Sequence, residues 1–163
     1  MSHYKDQPEV HFFRGTLFNF EKKNSREAEL EFREELRISP DHVPAMLELA
    51  SLDLGKDTLE EALTLSKRVA ALDPENAEAH HLLGRIRLAK DQLDEAAREL
   101  ESAKHLAPAS AGIRSHLAIA YGKLGRVREA KAEAALSLSL KKKEDIPAPL
   151  QEKLKSATGP EHP

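Results

Sequence analysis

The sequence predicts an all-α protein, a stacked solenoid of antiparallel helix pairs. Three observations predict it. Pro40, Pro74 and Pro108 stand 34 residues apart, and Ala28, Ala62 and Ala96 stand 12 residues before them in turn. Leucines and alanines recur at helical spacing between these landmarks. Of the 163 residues, 33% are charged and 4% aromatic, with no Trp, so the core is leucine and alanine rather than aromatic. Periods of roughly 20–50 residues mark units that bury their apolar faces only against neighbouring units. Such a stack offers a long curved surface rather than one cavity, and its expected function is to bind other proteins.

Four units are expected, over 9–42, 43–76, 77–110 and 111–142, after an N-terminal extension at 1–8. In the first, Val10, Phe13, Leu17 and Phe20 make an apolar stripe, while Phe12 and Phe18 point elsewhere. Terminal units of a solenoid ordinarily present a polar outer face. A first helix apolar on more than one side therefore needs a cover: an upstream unit, a second copy of the chain, or residues 1–8 folding back. Phe12, Phe13, Phe18 and Phe20 are accordingly the expected oligomer or upstream-unit interface. The second helix interleaves Glu27, Glu29, Glu31, Glu34 and Glu35 with Arg26, Arg33 and Arg37, the pattern of a solvated, ion-paired face.

The second unit reads as a helix from Val43 to Leu54, a turn at Gly55-Lys56-Asp57, and a helix from Thr58 to Leu72. Thr58 and Glu61 have the capping-box spacing. Gly55 suits the left-handed residue that closes a helix. Asp73-Pro74 stops the second helix, because the residue before proline is pushed out of the helical region. The third unit repeats the pattern with Leu82, Leu83, Gly84 and Ile86, then Leu93, Ala96, Leu100 and Ala103. The fourth has Leu117, Ala118 and Tyr121, then Val127, Ala130 and Ala134. Lys142 replaces its proline, so the last helix is expected to reach Lys141–Lys143, whose ammonium groups favour the negative end of the helix dipole. Ile146, Leu150 and Leu154 predict a short capping helix within 143–163, ahead of a disordered tail at Ser156–Pro163.

Composition removes several function classes. A formal charge of −3 argues against non-specific nucleic-acid binding, which needs a basic face to displace counterions. The absence of Cys excludes disulfides, thiolate metal sites and cysteine catalysis. No apolar run reaches the length of about 18 residues that spans a bilayer, so no membrane insertion is expected. Met1–Val10 lacks an apolar signal core. A soluble chain is expected, cytoplasmic, or periplasmic if a leader has been removed, and a fragment of a longer protein fits as well.

In each unit the small residues and prolines match one pattern. His80-x2-Leu83-Gly84-x2-Arg87, Ala96-x3-Leu100 and Pro108 form its best copy. Arg114-x2-Leu117-Ala118-x2-Tyr121 with Ala130-x3-Ala134, and Met46-x2-Leu49-Ala50-x2-Asp53 with Ala62-x3-Ser66 and Pro74, form two more. Over roughly residues 9–142 the chain resembles the tetratricopeptide repeat family, whose consensus is W-x2-L-G-x2-Y, then A-x3-F, then P. The first unit fits at Ala28-x3-Phe32 and Pro40, given a one-residue insertion near Lys22–Asn24 that puts Phe18 at the tyrosine position. The resemblance implies a right-handed superhelix of about four repeats acting as a non-enzymatic adaptor or scaffold.

The resemblance also implies a partner-binding groove, lined by the first helix of each unit. Carried over by position, it comprises Pro44, Leu47, Ser51 and Leu54, then Glu78, His81, Arg85 and Leu88, then Gly112, Ser115, Ile119 and Lys123. The expected binding residues are Leu47, Ser51, Glu78, His81, Arg85, Ser115, Ile119 and Lys123. Leu47, Leu54, Leu88 and Ile119 would give an apolar floor, with His81, Arg85 and Lys123 as donors to an extended or helical segment of a protein partner. Leu54 and Leu88 fit equally as packing between helices. The lysine and asparagine clamp with which some family members hold chaperone tails is absent. One register places Leu47, Ser51, Leu82, Gly112 and His116 there, and the other Phe13, Leu17, Glu48, Glu78 and Leu82.

Enzyme motifs are missing: no nucleophile elbow, phosphate loop, dinucleotide fingerprint or zinc-protease helix occurs. No catalytic residue, metal site or cofactor is expected. His81 and His116 fall on adjacent first helices at a spacing that lets them meet, and a solvated or packing role is expected of them rather than metal binding. Self-association through the N-terminal helix, and a regulatory or substrate-presenting role within a larger enzyme, are the alternative readings.

Overall fold

The structure, a computed structural model, describes residues 9–20, 24–55 and 58–144. The expected extension at 1–8, capping helix and tail lie outside them. Eight helices and no strand occur among the described residues: α1 (Val10–Phe20), α2 (Ser25–Ile38), α3 (Val43–Gly55), α4 (Leu59–Leu72), α5 (Ala77–Ala89), α6 (Leu93–Leu106), α7 (Ala111–Lys123) and α8 (Val127–Glu144). They pair as α1·α2, α3·α4, α5·α6 and α7·α8, and each second helix packs on the first helix of the next pair.

The 34-residue proline period has a local cause. The residues before Pro40, Pro74 and Pro108 close α2, α4 and α6 in extended backbone, at φ −124, −138 and −131. The carbonyls of Ser39, Asp73 and Ala107 then accept the N–H of His42, Asn76 and Ser110 at 3.0, 3.1 and 3.1 Å. Proline at the second position presets this β-turn. The residue leaving each turn caps the next helix: His42 Nδ1, Asn76 Oδ1 and Ser110 Oγ accept the N–H of Ala45, Ala79 and Ile113 at 3.1, 3.0 and 3.3 Å. One turn, built three times, sets the direction of every new unit.

The turn inside units two, three and four closes on one repeated bond. Asp53, Arg87 and Tyr121 accept through their carbonyls from the N–H of Thr58, Gln92 and Arg126 at 3.0, 2.9 and 2.9 Å. This is the six-residue bond of a helix ended by a left-handed residue. That residue is Asp91 at φ 57 and Gly125 at φ 75. Gly55 is not left-handed, contrary to the sequence expectation; it is the last residue of α3, two places before the equivalent turn position. Thr58 begins α4 as expected but makes no capping box, since its hydroxyl donates to the Asp53 carbonyl at 3.0 Å.

In units one and three a glycine on the first helix meets the fourth residue after the repeat alanine on the second. A Cβ added at Gly84 would stand 2.5 Å from Leu100 Cγ, and one at Gly15 2.6 Å from a Phe32 ring carbon. Units two and four have Ala50 and Ala118 at the equivalent place, where Ser66 and Ala134 are small. Glycine therefore appears where the partner side chain is large. The same equivalence fixes the register of α1: His11 bonds Glu31 as His80 bonds Glu99. Phe18 thus falls at the Tyr121 position and packs, with Phe12, on the core of Phe32, Ala28, Ala45 and Leu49.

First helices also approach each other, α3 with α5 and α5 with α7, whereas consecutive second helices make no comparable contact. The stack is therefore curved, with the first helices on its inner face. No described helix is long and apolar enough to cross a membrane.

Candidate functional site

The structure divides the expected groove residues among different surroundings. Leu47 and Leu54 pack on the cluster of Ala50, Ala62, Leu82 and Ile86, and Leu88 packs on that of Ala97, Leu100, Leu117, Ala120 and Tyr121, each cluster spanning two units. Three of the four leucines and isoleucines expected as floor thus join one unit to the next. Leu47 does both jobs. With Val43, Pro44, Glu48, Ser51, Asn76 and Glu78 it lines a depression of about 370 Å³ between α3 and the start of α5. Glu48 was not legible as a groove residue; in the structure it also accepts Asn19 Nδ2 at 3.0 Å, tying α1 to α3.

The centre of the inner face belongs to α5 and α7. His81 Nε2 and His116 Nδ1 are 3.0 Å apart, with ring centroids at 5.0 Å. His116 Nδ1 also lies 2.9 Å from the Gly112 carbonyl, and His81 Nδ1 lies 3.4 Å from Glu78. One proton distribution satisfies all three contacts: His116 Nδ1–H donates to Gly112 and His81 Nε2, and His81 Nδ1–H faces the Glu78 carboxylate. Burial, reinforced by His81, pulls the His116 imidazole below its usual range. Arg85 is half-buried beside this pair, one helical turn from His81. Among the described residues no group of three or more His, Asp, Glu or Cys is placed to hold a metal ion.

Ser115 and Ile119 lie apart from this centre. They line a second trough of about 520 Å³ between α7 and α8, on the outer side of the last unit. Lys123 sits at the turn, 3.2 Å from Asp91, with both groups largely in solvent. On the first helix Phe13 and Phe20 are 64% and 85% exposed, while Phe12 and Phe18 are in the core described above.

Two buried carboxylates were hidden from sequence reading, because their partners lie far along the chain. Glu35 on α2 accepts the N–H of Glu9 and Phe12 at 3.0 and 3.2 Å, and so caps α1 from the neighbouring helix. Glu133 on α8 holds Lys104 at 3.0 Å and Arg114 at 2.7 Å, fastening α8 to α6 and α7. Tyr121 donates to Glu101 under the Arg126 guanidinium, 4.0 Å above its ring. Burial, with that hydrogen bond, pushes the phenol up to about 12.

A family model described as tetratricopeptide repeat matches residues 54–106. No curated protein matches the sequence. Solved structures match widely. A MamA segment from Desulfovibrio magneticus RS-1 is 23% identical with a TM-score of 0.75, over 88% of this chain and 81% of that one. TTC0263, a thermophilic TPR protein of Thermus thermophilus, is 21% identical with a TM-score of 0.73, over 80% and 74%. An O-GlcNAc transferase mutant from Thermobaculum terrenum is 26% identical with a TM-score of 0.66, over 69% of this chain but 22% of that one. The chain therefore has the tetratricopeptide-repeat fold, a right-handed superhelix of helix pairs, and its residues 54–106 match the sequence model of that repeat.

Proposed function

We propose that the chain is a non-enzymatic adaptor that holds an extended or helical segment of a partner protein along the inner face of α3, α5 and α7. The observation that carries this reading is the preformed depression between α3 and α5, continuous in sequence register with His81 and Arg85. Leu47 and Val43 offer one apolar side chain a seat, while Arg85 offers a guanidinium to an acidic group one or two turns further on. The seat exists without a partner, so docking needs little backbone change. The test is recovery of partners from native-host extract with the natural chain and with His81→Glu/Arg85→Glu, the variant first shown by circular dichroism to melt cooperatively as a helical protein. A partner kept by the natural chain and lost by the variant supports the reading. Equal recovery by both contradicts it.

A second reading has its own observation. The likeness to about a fifth of an O-GlcNAc transferase is that of one repeat segment within a larger enzyme. On this reading the same inner face presents substrates to a catalytic domain elsewhere in a longer protein.

A further inference from the structure

Inside the chain, the third unit inserts side chains of its first helix into a socket formed by the second. At the middle joint, Leu82 and Ile86 of α5, both fully buried, enter a socket of Leu47, Ala50, Leu54, Ala62 and Leu63. The register fixed by Gly15 and His11 makes Phe13 and Leu17 the counterparts of Leu82 and Ile86. They are 64% and 59% exposed. The counterparts of these five are Ser115, Ala118, Gly122, Ala130 and Lys131, and all five line the trough on the outer side of α7 and α8; Glu133, the counterpart of Leu65 that also packs there, is turned to Lys104 and Arg114 instead.

Both halves of the joint are thus present, in register, on the outer faces of the first and last described units. They are also matched in volume. Relative to the middle joint the inserted residue has grown, from Leu82 to Phe13, and two socket leucines have shrunk, to Ser115 and Gly122, while Lys131 stands for Leu63. A larger knob faces a wider hole, the condition for close packing. We infer that a second copy of this chain occupies the trough, its α1 lying on α7 and α8 as a further first helix, so that copies associate head to tail. The contact joins two different surfaces, so it does not close on a pair and extends with concentration.

Sedimentation of the full chain over a wide concentration range tests this. The natural chain is expected to gain mass steadily without a plateau at twice the monomer. Phe13→Glu/Leu17→Glu, altered on the knob, and Ile119→Glu/Ala134→Glu, altered on the trough, are each expected to weaken association by about tenfold or more. All four positions are exposed, and circular dichroism checks that the fold survives. Mixed together, the two impaired variants are expected to form a dimer that grows no further, because each retains the surface the other lost. A trough variant that still dimerises alone would mean symmetric pairing of phenylalanine faces and overturn the inference. So would a natural chain that stays monomeric throughout. If Leu150→Glu then made it associate, residues 145–163 of the same chain would be the occupant instead.

Discussion

Gly84 gives up helix propensity to make room for Leu100. Gly84→Ala should therefore destabilise the protein by about 1–3 kcal/mol, although alanine is the better helix former, because the added methyl overpacks a fully buried contact. Leu100→Ala in the same background should recover part of the loss, and urea unfolding of the three variants decides it. An alanine variant as stable as the parent would refute the coupling. The pairing of glycine with a large partner was half legible: the sequence marked both positions, but only the contact shows why units two and four carry alanine instead. Asp53 was less legible still. It stands where the other units have Phe18, Arg87 and Tyr121, fully buried, with one carboxylate oxygen lacking a partner. Burial, with the nearby Glu61 charge, pushes its carboxyl above the ordinary value of 3.8. The folded state thus holds this proton more tightly than the unfolded chain, and stability falls as pH rises from the ordinary value through the raised one. Asp53→Asn should stabilise the protein at neutral pH, with the gain shrinking as pH drops into the carboxylate range. A gain independent of pH would contradict the assignment.

At the scale of the element, helix spans follow closely from proline, glycine and apolar spacing, while the bonds that close them do not. The expected capping box at Thr58 is absent, and the caps that form use His42, Asn76 and Ser110, three different side chains at one repeat position. Their 34-residue spacing was available in the sequence; their chemical dissimilarity concealed it. The cap on α1 could not be found that way, since Glu35 reaches it from 23 and 26 residues away. Glu35→Ala leaves two N–H groups without their acceptor and should cost about 1–3 kcal/mol. Amide exchange should quicken first in α1. Unchanged exchange there would show that the carboxylate is dispensable.

For the whole molecule, the period gave the number of units and the resemblance gave the inner face, but the division of labour on that face needed coordinates. Leu54 and Leu88 were undecided between floor and packing, and they pack, because the joint between units passes under the groove. Ser115 and Ile119 line the trough between α7 and α8, and Leu47 and Ser51 the depression between α3 and α5. Beside the apolar seat of α3 stand a histidine pair that joins two units and a half-buried arginine.

The groove itself is the central claim. The most direct measurement is an amide chemical-shift map of the isotope-labelled chain titrated with the segment of a recovered partner. The account predicts perturbations concentrated on the inner faces of α3, α5 and α7, around Leu47, Ser51, His81 and Arg85. Perturbations confined to α2, α4 and α6, or to the outer surfaces of α1 and α8, would contradict it.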